Sequence, residues 1–179
     1  MGLQVKIEKT CIADARLYGS TWDNTGPQGT QTITTGMYSG TQHYGFLRFG
    51  EIEIPLYARI VSAVFRFYVS GGMDNSRYTH VVSGVKDNGT LWTESARNGA
   101  GRDTAAIAGI VLASKTGVWK SCDIGAIAAA WQRGLMDATR GLCITCGTTD
   151  SYKIIDGRGR SNHPTLTIIY EIPASVPVP

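Results

Sequence analysis

No stretch of this chain approaches 18 consecutive apolar residues, so no helical membrane span is expected. Charge is sparse as well. Charged residues make up 17 % of the chain and the net charge is only +3, without the basic run or stripe that nucleic-acid binding requires. Neither a membrane nor a nucleic acid is therefore an expected partner. The opening MGLQVKIEKT lacks the apolar core of roughly 7–15 residues that marks a secretory signal. Lys6 stands where an N-myristoylation site needs Ser or Thr. The expectation is a protein that stays where it is made or leaves by cell lysis.

Catalytic signatures are missing too. There is no G-x-S-x-G elbow, no H-E-x-x-H and no Gly-Lys-Ser/Thr phosphate loop. His43, His80 and His163 lie far apart in the chain and read as strand or surface histidines. The 14 acidic residues are scattered, and a glycosidase pair is defined by separation in space, which spacing along the chain leaves open. With no constellation to carry chemistry, the expectation is a protein that is not an enzyme and needs no cofactor. Cysteine is scarce: Cys11, Cys122, Cys143 and Cys146. The last two form a C-x-x-C, but within a strand residues three apart point to opposite faces, so they share a metal only across a tight knuckle. Buried free thiols without metal are expected.

Glycine is plentiful, at 22 residues, and 42 % of the chain is hydrophobic. At 179 residues a single domain buries roughly 70 % of its unfolded surface and needs no disulfide or metal to fold. Alternation supplies the elements. In RIVSAVFRFYV, Val61, Ala63, Phe65, Phe67 and Val69 share one face, with Ser62, Val64, Arg66 and Tyr68 opposite. Similar segments span 3–8, 10–18, 30–35, 44–49, 78–85, 105–114, 141–146 and 164–172. In the last, Leu166, Ile168, Tyr170 and Ile172 share a face. Pro55 follows an Ile/Glu alternation and, lacking a ladder donor, should end pairing or sit at an edge. One segment follows the helical period: Ile124, Ile127, Ala128 and Trp131 fall on one face, with Asp123 as N-cap and Gly134 as the stop. The prolines after Ile172 suit an extended tail. These features predict an all-β, antiparallel β-sandwich (jelly roll) with one short helix, formed by residues 1–172 and followed by a tail over 173–179.

The order of segments also resembles a known family. IADARLYGS at 12–20, FLRF at 46–49 and ARIVSAVFRFYV at 58–69 come first. Trp92-Thr93-Glu94, Trp119, Asp123-Ile124, Trp131 and Gly134 follow, then GLCI at 141–144 and PTLTIIYE at 164–171. Together they are similar to the DNRLRE-type, disaggregatase-related modules, β-sandwiches allied to alginate-binding carbohydrate-binding modules. The likeness covers residues 10–172, nearly the whole chain. Gly50 stands where the family has an acidic residue, MDATRG replaces its asparagine-bearing turn, and a second tryptophan after Trp92 is missing. The matched positions are framework, and the resemblance implies a sandwich whose Trp92, Trp119 and Trp131 belong to the core.

Glycan recognition needs aromatic faces beside hydrogen-bonding groups, presented on loops. Trp22, Tyr38, Tyr44 and Tyr78 stand in or beside Gly/Asn/Asp/Ser-rich segments, and STWDNTGPQGTQ sets Trp22, Asp23 and Asn24 side by side. Arg158 and Arg160, in the turn-like DGRGRSNH, suit uronate carboxylates. The candidate glycan-binding residues are Trp22, Asp23, Asn24, Tyr44, Arg158 and Arg160; the candidate ligand is an acidic polysaccharide. The function expected is a non-catalytic accessory protein of a bacteriophage particle, in capsid decoration, head fibre or tail adhesion. Its partners would be other virion proteins and further copies of itself. The competing expectation is a carbohydrate-binding module of a bacterial cell surface or polysaccharide-degrading system.

Overall fold

The computed structural model describes residues 2–19, 21–22, 32–73, 78–85, 106–112, 115–146 and 152–174, with the side chains of 21–22, 78–79, 106–112 and 146 excepted. Asp23, Asn24, Trp92-Thr93-Glu94 and the tail beyond 174 lie outside the described residues, as do the side chains of Trp22, Tyr78 and Cys146.

The alternating segments pair into one antiparallel sheet of twelve strands. They are β1 (Leu3–Thr10), β2 (Ala13–Tyr18), β3 (Thr21–Trp22), β4 (Thr32–Tyr38), β5 (Thr41–Arg48) and β6 (Arg59–Gly72). Then come β7 (Tyr78–Gly84), β8 (Ala106–Leu112), β9 (Val118–Asp123), helix α1 (Gly125–Gln132), β10 (Leu142–Cys146), β11 (Tyr152–Asp156) and β12 (Thr165–Ile172). The path runs β1-β12-β6-β11-β4-β5-β10-β7-β8, with β2 added beside β5, β3 beside β2 and β9 beside β6. β4 pairs with both β5 and β11, and β11 with both β4 and β6. Those two strands turn the sheet over on itself, so the fold is all-β and sandwich-like with a single short α-helix. Ser39 and Gly40, at φ 48° and 72°, make the two-residue turn between β4 and β5, the geometry that matches strand twist.

Both folded-over portions feed one core. Leu47, Leu142 and Ile144 come from β5 and β10, and Ala63, Phe65, Phe67, Leu166 and Ile168 from β6 and β12. Phe65 stacks on Phe67 at 5.1 Å and meets Phe49 edge-on at 6.0 Å. The inner face of β12 is the one its alternation predicts, with Leu166, Ile168, Tyr170 and Ile172 all buried. Ile127, Ala128 and Trp131 of α1 join this cluster. Phe46 and Cys143 project from the other side of β5 and β10 into a smaller cluster with Ala13, Ala15 and Leu17.

Several expectations are corrected by tertiary pairing. Trp119 is not in the core: it sits on β9 and is 40 % exposed, because its register partner is Tyr68 on the outer face of β6. Val61 is exposed although it alternates with Ala63. It lies where the β6–β12 register shifts, between the pairs Ile60–Tyr170 and Ser62–Ile169. Thr10 ends β1, and β2 begins only at Ala13. Asp123 does not occupy the cap position itself; Ile124 does, while the Asp123 carboxylate accepts the Gly125 amide at 2.8 Å. The segment 51–55 keeps its alternation yet pairs with no strand. DGRGRSNH is the turn its composition suggests, and it joins β11 to β12, which both pair with β6 and not with each other.

Candidate functional site

The register of β2, β5, β4 and β11 lays one row across the sheet. Tyr18 stands opposite His43, His43 opposite Gly36, and Gly36 opposite Tyr152. Directly opposed residues of antiparallel strands share a face, so Tyr18, His43 and Tyr152 project together. Gly36 offers no side chain, and Tyr38, two residues on and on the same face, fills the gap. Its ring meets Tyr152 at 4.6 Å and His43 at 5.9 Å, both edge-on, and Tyr18 meets His43 at 4.7 Å. The result is a cluster of three tyrosines around a histidine. His43 is only 3 % exposed, whereas Tyr18 and Tyr38 are 44 % and 46 % exposed. Beneath the row, Gln42 donates to Thr145 Oγ1 at 2.6 Å and Thr145 donates to the His43 carbonyl at 3.3 Å. These bonds fasten the β4–β5 hairpin to β10 and hold the rings in place.

The sequence-predicted residues divide between the two ends of β2. Trp22 and Tyr44 are both register partners of Leu17, one residue off the Tyr18–His43 row; β3 adjoins that row through the Thr21–Tyr18 pair, whereas Tyr44 projects from the opposite face. Tyr44 is half-buried and packs against the smaller cluster. Arg158 lies elsewhere: its amide donates to Asp14 Oδ2 at 2.6 Å. Asp14 pairs with Leu47, three residues along β2 from Leu17, a span of about 10 Å. Arg160 is exposed in the same turn, its amide on the Gly157 carbonyl at 3.2 Å and its carbonyl 3.3 Å from His163 Nδ1. The length of β2 therefore lies between the turn that carries the arginines and the aromatic cluster. Tyr18 and Tyr152 were missed, although each adjoins a glycine- or serine-containing stretch, Gly19-Ser20 for the first and Gly147–Ser151 for the second.

Burial pushes the Cys143 thiol up to about 12. Burial and the neighbouring Asp123 charge push Cys122 up to about 11. Cys122 and Cys143 are buried free thiols, and the buried Cys11 thiol donates to the Ala13 carbonyl at 3.2 Å. Among the described residues no group of three or more His, Cys, Asp or Glu is placed to hold a metal ion, and no helix is long and apolar enough to cross a membrane. A row of partly exposed ring faces with amides and hydroxyls nearby suits the stacking and hydrogen bonding of a polar, ring-shaped ligand. No protein-family model matches the chain, and no curated protein matches it.

Proposed function

We propose that this chain is a non-catalytic binding and structural module, an accessory protein of a bacteriophage particle that decorates the capsid, builds a head fibre or serves tail adhesion, and that holds a glycan. The observation that carries the reading is the tyrosine cluster: Tyr18 and Tyr38 are each nearly half exposed over a buried His43. Free-standing tyrosines in water are ordinary, but three converging on one sheet row next to β3 form a platform for sugar faces. The sandwich-like fold supplies rigid support. β1 and β8 end the described strand order, and terminal strands offer backbone groups to a neighbouring subunit. Repeated copies on a particle would turn a weak sugar contact into useful avidity.

Two measurements test this. Peptide mass spectrometry of particles purified from lysed host cells should recover the chain in stoichiometric amounts. A glycan array should give a signal for the wild-type protein that falls on Tyr18→Ala and Tyr38→Ala, with the fold intact by circular dichroism. A chain recovered only from host cell surfaces would move the module to the bacterium. An array signal indifferent to both tyrosines would remove the platform.

A further inference from the structure

Among the described residues β1 has a strand partner on one side only, β12. Their register runs unbroken from Leu3–Ile172 to Thr10–Thr165. Cys11 continues it, donating its amide to the Pro164 carbonyl at 2.9 Å. In an antiparallel ladder, opposed residues that bond each other alternate with pairs that do not. Leu3, Val5, Ile7 and Lys9, in step with Cys11, therefore turn their backbone groups toward β12. Gln4, Lys6, Glu8 and Thr10 turn theirs outward, along an edge with no bulge and no proline.

The side chains leave the same edge incomplete. Val5 and Ile7 pack against the main core but are only partly buried. On the other face Gln4, Lys6, Glu8 and Thr10 are exposed. Lysine commonly guards an edge strand against further pairing. Here Lys6 is matched by Glu8, 2.6 Å away, so the outer face of the strand carries no net charge.

We infer that this edge is taken by a second copy of the chain, the two β1 strands pairing antiparallel about a twofold axis at Ile7. The order of charges selects that register. Outward backbone groups sit on even-numbered residues of both strands, so even residues must stand opposite even ones. An axis at Lys6 or at Glu8 would set like charges directly opposite, which is destabilising. An axis at Ile7 instead sets Lys6 opposite Glu8 of the second copy, twice over, and Gln4 opposite Thr10. Ile7 then faces its own counterpart and covers apolar surface that one sheet alone leaves open. The pairing closes on itself, because each β1 has a single free side. The backbone edge alone would accept any strand; the Lys6/Glu8 order makes a copy of β1 the complementary one. This deepens the assembling reading of the chain, on which it rests, by naming the partner of one terminal strand. Purified chain tests it, so dimerisation and recovery from particles succeed or fail separately.

Sedimentation velocity of the full chain from roughly 1 to 200 µM should show a monomer–dimer equilibrium, since an edge this short is smaller than a standard interface. Lys6→Glu and Glu8→Lys each set two pairs of like charges opposite and should weaken the dimer by about tenfold. Mixing the two variants, or combining both substitutions in one chain, restores opposite charges and should restore the affinity. Both side chains are exposed, at 56 % and 64 %, and thermal melts check that the fold survives. Ile7→Cys should give a disulfide-linked dimer under mild oxidation, with the wild type as blank, because facing Cα atoms of a non-bonded pair lie about 4.5 Å apart. Val5→Cys, set opposite Lys9, should not. A chain that stays monomeric throughout overturns the proposal. So does a dimer indifferent to both charge variants, a charge swap without rescue, or Val5→Cys linking as readily as Ile7→Cys.

Discussion

Gly141 and Gly134 have similar backbone angles, with φ of 78° and 67°, yet different surroundings. A Cβ at Gly134 meets open space, whereas one at Gly141 would lie 1.9 Å from the Leu47 carbonyl oxygen. Gly134→Ala should therefore cost only the left-handed backbone penalty, about 1 kcal/mol. Gly141→Ala adds a backbone clash and should cost more than about 3 kcal/mol, a gap that paired urea titrations will read. At Glu171, the hydrogen bond from Arg59 at 2.5 Å and then the guanidinium charge hold the carboxyl below its usual range. A depressed folded value stabilises above the unfolded carboxylate pKa, about 4.3, and that contribution is lost as pH falls through the folded value. Arg59→Met should move the Glu171 midpoint upward in a carboxyl carbon NMR titration. The raised thiols of Cys122 and Cys143 carry almost no thiolate at pH 8. Iodoacetamide should leave both unmodified in the native protein and label both in urea, as read by peptide mapping.

At the scale of elements, α1 does more than cover the core. Gln132, in its last turn, donates to the carbonyls of Pro55 and Ala58 at 2.6 and 2.8 Å. The helix thereby pins the turn that follows the unpaired Ile/Glu alternation and leads into β6. Gln132→Leu removes a donor from both carbonyls and should cost about 1–3 kcal/mol in chemical denaturation. Gln132→Glu should be no better, because an ionised carboxylate offers acceptors only. The helix itself was legible from its period, since Ile124, Ile127, Ala128 and Trp131 are all buried. β9 and β11 were not. VWKSCD buries only Cys122 and YKIID is short, with Lys153 buried and its ammonium on the Met73 carbonyl. Neither shows the apolar alternation by which strands are recognised.

For the whole molecule, closure depends on β6. It pairs along 59–66 with β12, along 69–72 with β11 and along 64–69 with β9. β12 in turn holds β1 through to the Leu3–Ile172 pair. Deleting residues 175–179 removes none of these pairs and should leave the melting temperature unchanged. A cut before Glu171 removes both the Arg59 ion pair and the last β1–β12 rungs, and should lower it. Scanning calorimetry of the two truncations makes the comparison.

Local pattern alone determined the all-β class, the inner face of β12, most of the inner face of β6, the helix and the ends of β7, β10 and β12, because side-chain direction follows chain period without reference to partners. It also placed Tyr38 beside a turn. Tertiary structure decided what period cannot carry: which strands become neighbours, and therefore which side chains share a row. Tyr18, His43 and Tyr152 come from separated segments and meet only through the register of β2, β5, β4 and β11. The family resemblance implies a core Trp119, yet register sets it against Tyr68 and Arg66 on the outer face. The reason is physical: a one-residue change of register exchanges the two faces of a strand, and register is set by partners that lie far away along the chain.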